Sequence, residues 1–148
     1  MTLEFNHFLV PVDFGEPSQQ ALDAAIELAS RFKARLTLVH VYEIPAYVYG
    51  GMTYATADLF GPIEDAAREQ LDKTLGEVQK RVPGAKAVLR RGRAAPEILA
   101  VIDEVHPDLV VMGTHGRRGV SHALLGSVAE RIVRLSPVAV LTMRTKGG

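Results

Sequence analysis

Along the 148 residues, short unbroken apolar runs alternate with longer stretches whose apolar positions recur every three or four residues. The first run, Phe8 to Asp13 (FLVPVD), ends in a carboxylate and a turn-like Gly15-Glu16-Pro17-Ser18, and it predicts a buried strand. Ser18 to Phe32 follows, with Ala21, Leu22, Ala25, Ile26, Ala29 and Phe32 at helical spacing and Pro17 placed where a helix can begin. Arg35 to Tyr42 (RLTLVHVY) is β-branched and aromatic and predicts a second strand. Glu43 to Gly61 breaks the rhythm. It holds Pro45, Gly50, Gly51, Tyr47, Tyr49, Tyr54 and Phe60 without a period, and it predicts a long loop that serves as a lid or a partner surface. Pro62 opens the next predicted helix, which runs to Val82. Ala85–Arg91, Pro96–Val105, Asp108–Gly113, Gly126–Leu135 and Pro137–Met143 then read as strand, helix, strand, helix and strand.

Strands that alternate with helices pair in parallel through right-handed crossovers. Continuous apolar strands, rather than alternating ones, belong to sheets covered on both faces. The expected fold is therefore α/β: residues 1–148 form a single-domain doubly wound open parallel five-stranded sheet with helices on both faces. With strand order 3-2-1-4-5, the winding reverses between the first and fourth strands. Ligands bind at such a reversal, outside the carboxyl ends of the strands, and those ends are Asp13 and Gly113.

Composition narrows the chemistry. There is no cysteine, which excludes disulfides, Cys-ligated metals and thiol catalysis and suits a cytoplasmic location. The 17 basic and 17 acidic side chains cancel, so no general attraction to nucleic acid or anionic membrane is expected. Met1 to His7 has no basic segment followed by an apolar run, so no signal peptide is expected, and every apolar run is far shorter than the roughly 20 residues of a spanning helix.

The segment after the fourth strand carries the candidate chemistry: Gly113-Thr-His-Gly116-Arg-Arg-Gly-Val-Ser-His-Ala-Leu-Leu-Gly126-Ser127 runs straight into a helix. Glycines let backbone N–H groups approach an anion, and the helix start adds unpaired donors and a positive dipole end. Ser127 offers a hydroxyl, and Arg117, Arg118 and His122 are able to add charge. The same stretch also reads as a surface loop whose glycines serve turns. No GxxxxGK[ST] or GxGxxG motif is present, which argues against a P-loop ATPase or a dinucleotide dehydrogenase. His115 and His122 lack a third histidine, and neither HxxxH nor HExxH occurs, so no zinc site is expected. His40 reads as a satisfied core histidine, and His7 and His106 as exposed. Asp13 reads as a hydrogen-bond acceptor in preference to a general base.

The spacing Gly, two residues, Gly, nine residues, Gly-Ser, met by Gly113, Gly116, Gly126 and Ser127, resembles the signature of the ATP-binding branch of the universal stress protein family. The resemblance extends through Pro11-Val12-Asp13-Phe14, His40-Val41, Gly92 with Pro96-Glu97-Ile98, and Ser136-Pro137-Val138-Ala139-Val140. It implies that Pro11, Val12 and Val41 line an adenine pocket and that Asp13 accepts from a ribose hydroxyl. It also implies that Gly113, Gly116, Gly126, Ser127 and Val128 hold ribose and triphosphate, with Mg²⁺ on the phosphates. Gly15 departs from the serine that often follows the Asp-Phe pair. The last strand is apolar and terminal, hence a sheet edge, and the resemblance implies a homodimer through it. The expected function is a cytoplasmic ATP-binding regulatory module. The alternatives are a slow ATPase or a phosphotransferase that autophosphorylates on a loop Ser or Thr such as Ser121 or Ser127, and an interaction protein whose pocket is vestigial or prefers another adenine nucleotide.

Overall fold

The computed structural model describes residues 4–45, 56–115 and 125–144, apart from the side chains of 56–59. Strands β1 (His7–Pro11), β2 (Arg35–Tyr42), β3 (Lys86–Arg91), β4 (Leu109–Gly113) and β5 (Ala139–Met143) form one sheet. Its order is β3-β2-β1-β4-β5, and every pairing is parallel, as the alternation of elements predicts. Four helices occur among the described residues: α1 (Glu16–Phe32), α2 (Thr56–Gln79), α3 (Ala94–Val105) and α4 (Ser127–Leu135).

Register divides the strand side chains between two cores. Phe8 pairs with both Leu36 and Leu109, so these residues share one face with Val10, Leu38 and Val111. That face is sealed by Leu22 and Ala25 of α1 and Leu71 and Val78 of α2. Leu9, Val39, Val110 and Met112 point the other way, against Ile98, Val101 and Ile102 of α3 and Ala129 and Ile132 of α4. Each large side chain fully removed from water contributes about 1.5–3 kcal/mol. Helices α1 and α3 end where the chain turns left-handed, at Lys33 (φ 55°) and His106 (φ 51°), whereas α4 ends in the extended Ser136.

Two expectations are corrected. Helix α2 begins at Thr56, so Pro62 lies inside it, and residues 56–61 do not belong to the predicted loop. An interior proline forfeits a backbone hydrogen bond at about 3 kcal/mol. Packing offsets this: Phe60 and Ile63 close a small core of Tyr42, Ile44 and Ala67, and the Arg91 guanidinium stands 6.0 Å above the Phe60 ring. Tyr47, Tyr49 and Tyr54 lie outside the described residues.

His7, expected at the surface, is buried. It pairs with Arg35 at the start of β2, its backbone N–H donates to the Asp108 carboxylate (2.9 Å), and its Nε2 lies 2.7 Å from the Thr37 hydroxyl. His106 is exposed as expected. His40 is half-buried and satisfied, donating from Nδ1 to the Val12 carbonyl at 2.7 Å with its ring 4.4 Å from that of Phe14.

Burial lowers the His7 pKa below 6.5, helped by Arg35 and Lys86 and opposed by Asp108 and the Val105 carbonyl. The unfolded chain therefore binds this proton more readily. The stability from neutral His7 is complete above about pH 6.5 and is lost as pH falls toward the folded value. The urea midpoint should drop between pH 7 and pH 5, and less steeply in His7→Gln. Equal slopes would assign the acid sensitivity elsewhere.

Candidate functional site

The winding reverses between β1 and β4, and a cavity of about 370 Å³ opens outside their carboxyl ends. Pro11, Val12, Asp13, Val41, Gly113, Gly126, Ser127 and Val128 all line it. The structure thus brings together every site residue expected from the sequence except Gly116, which lies outside the described residues with Arg117, Arg118, Ser121 and His122.

Local chemistry builds each wall. After β1 the chain turns through Phe14 in the left-handed region (φ 66°). The Asp13 carboxylate stabilises the turn by accepting the Gly15 N–H at 2.8 Å, and the Asp13 N–H donates to the Ser18 hydroxyl at 3.0 Å. One carboxylate oxygen is thereby committed to the turn. The other has no protein partner among the described residues, and a ligand hydroxyl would suit it.

The opposite wall is held by Thr114. Its N–H donates to the Met143 carbonyl at 3.0 Å, and its own carbonyl accepts the Gly126 N–H at 2.6 Å. The first bond ties the end of β4 to the end of β5, and the second pins it to the start of α4. Gly126 is the N-cap of α4 and provides no side-chain cap, so among the described residues nothing caps the first-turn N–H groups, which an anion could use. Thr114 Oγ1 also lies 3.1 Å from His115 Nδ1.

Between these walls the floor is apolar, with Val39, Ile98, Met112 and Ala129 joining Val41. Sequence reasoning missed those four because it looked only at the strand ends. Signals in the sequence could have found two of them: Val39 precedes Val41 by two residues on the same face of β2, and Ile98 lies one turn into the helix that must cover that face.

Gly113 has a more immediate cause than ligand approach. A Cβ there would stand 2.9 Å from the Pro17 carbonyl oxygen, so the glycine lets the first turn of α1 cross the end of β4. No cluster of three His, Asp or Glu able to hold a metal occurs among the described residues, and no described helix is long and apolar enough to cross a membrane.

An apolar floor, an acceptor carboxylate on one wall and uncapped helix amides on the other can hold a flat base, a sugar hydroxyl and a phosphate. Comparison with known proteins points to related molecules. Universal stress protein A homolog 1 of Coxiella burnetii is 31% identical over 146 residues, covering 97% of this chain and 99% of its own. The structure of universal stress protein UspA from Lactobacillus plantarum superposes with a TM-score of 0.81 at 24% identity, covering 97% of this chain and all of that one. An AMP-bound universal stress protein family member from Arabidopsis thaliana gives a TM-score of 0.67 at 16% identity, covering 96% of this chain and 93% of its own. The universal stress protein family model matches residues 4–144, and the chain belongs to that family.

Proposed function

We propose that the protein is a nucleotide-binding regulatory module of the cytoplasm whose switch-point cavity takes ATP. One observation carries this reading: the uncapped amides of α4 and the half-committed Asp13 carboxylate face one apolar-floored cavity of about 370 Å³, within the range of small-molecule sites. Pro11, Val12 and Val41 would hold the adenine and Asp13 a ribose hydroxyl. Gly113, Gly126, Ser127 and Val128, together with Gly116, would hold ribose and phosphates. Mg²⁺ would ride on the phosphate oxygens. The AMP named with the Arabidopsis relative supports an adenine nucleotide as ligand.

Calorimetric titration of nucleotide-stripped protein with Mg-ATP should show saturable binding with ATP recovered intact. Absence of binding at millimolar ligand overturns the proposal, and steady phosphate release favours the hydrolytic alternative.

The protein would act as a homodimer through β5. Among the described residues that strand pairs with β4 alone, its own Leu141 is 36% exposed, and Val133 and Leu135 of α4, the helix that leads into it, are 48% and 47% exposed. An apolar edge with unpaired backbone groups invites a second copy. Sedimentation should report a dimer that Leu141→Lys shifts toward monomer. A parent protein that is monomeric at all concentrations would exclude this edge as an interface.

A further inference from the structure

A second cavity, of about 240 Å³, adjoins the first and shares Ala94, Ser127 and Val128 with it. Its remaining wall carries Arg93, immediately before α3, and Arg131, one turn beyond Ser127 on α4; Glu43 is its acidic member. Among the described residues neither arginine has an ion-pair partner, unlike Arg31, Arg68, Arg90 and Arg134. Two arginines, one at the N-cap of α3 and one on α4, line the same cavity, and their like charges favour an anion that enters it. Arginine donors also bind phosphate oxygens in pairs, which a hydrated lysine does less well.

Because Ser127 and Val128 belong to both cavities, an anion held at the start of α4 stands at the boundary between them. Resting on the nucleotide reading above, we propose that this second cavity receives the outer phosphates, and that Arg93 and Arg131 make the site prefer nucleoside di- and triphosphates to monophosphates. The first cavity then supplies the base and sugar contacts common to all of these ligands. Glu43 opposes the added charge and moderates the preference.

Titration of the full-length protein with AMP, ADP and ATP tests this. The parent should bind ATP more tightly than AMP. The double variant Arg93→Ala/Arg131→Ala should weaken ATP by about tenfold or more, the scale of lost charge-assisted hydrogen bonds, and leave AMP within about twofold. Arg93→Lys/Arg131→Lys should recover part of the ATP affinity, and Glu43→Gln should raise it. A double variant that weakens AMP and ATP equally, or neither, overturns the assignment. A parent that binds AMP and ATP equally well overturns it while leaving the nucleotide site intact. A parent that binds none of the three overturns both.

Discussion

Gly126→Asp should abolish ATP binding while leaving the free protein at least as stable as the parent. Residue 126 is the N-cap of α4, in the extended conformation (φ −62°, ψ 158°) that capping residues adopt, and it provides no side-chain cap. Aspartate is a preferred residue at such a position. Its carboxylate accepts first-turn N–H groups and faces the positive end of the helix, a gain over glycine of a few tenths to about 1 kcal/mol. Those donors are the ones a phosphate would use. The substitution therefore places a permanent anion in the proposed phosphate site and adds repulsion against any second one. Losing two or more charge-assisted hydrogen bonds, each worth about 1.5–3 kcal/mol, should cost at least about 100-fold in affinity. Two measurements separate this from general damage. The melting temperature of the free variant should equal or exceed the parent's, and millimolar Mg-ATP, which should raise the parent's, should leave the variant's unchanged. Retained affinity would put the phosphate site away from α4.

The fold was legible because its signals are local and agree with one another. Continuous apolar strands such as Phe8–Val10 and Leu109–Met112 announce a sheet covered twice, and helical spacing between them announces parallel crossovers. Legibility failed where a residue's state depends on partners distant in sequence. Pro62 looks like a helix start in isolation, yet the small core of Tyr42, Ile44 and Ala67, with Phe60 and Ile63 packed on it, carries the helix through it. His7 looks like a solvated residue ahead of a strand, yet it pairs with Arg35 and is held by the Thr37 hydroxyl and by the carboxylate of Asp108, 101 residues away. The site followed the same rule. Asp13 and the glycines are marked by strand ends and spacing, whereas Ile98 and Ala129 reach the cavity through the packing of α3 and α4 on the sheet. Arg93 and Arg131, separated by 38 positions, become a pair only because α3 and α4 cover the same face.

Gly113→Val should lower stability by roughly 2–3 kcal/mol, and the melting temperature by roughly 5–10 °C. The spacing motif suggests a glycine kept for the ligand, but the nearest obstacle to a side chain is protein. A Cβ at 113 would meet the Pro17 oxygen at 2.9 Å, its carbonyl carbon at 3.0 Å and its Cβ at 3.1 Å. Backbone atoms cannot swing aside as a flexible side chain does. The first turn of α1 is further fixed by the Asp13–Gly15 and Asp13–Ser18 hydrogen bonds, and its next turns by Ala21, Leu22 and Ala25 in the core. Relief must come from moving β4 against α1, which also moves Thr114 and, through its carbonyl, the start of α4. Nucleotide affinity should therefore fall together with stability, in contrast to Gly126→Asp, where only affinity falls. Gly76→Ala on α2 is the control: nothing lies within 4 Å of the added carbon, and helix propensity alone should stabilise it by about 0.5–1 kcal/mol. A Gly113→Val protein that melts with the parent would mean that α1 yields at no cost. Packing would then no longer explain this glycine, and close approach of a bound ligand would be the remaining reason for it.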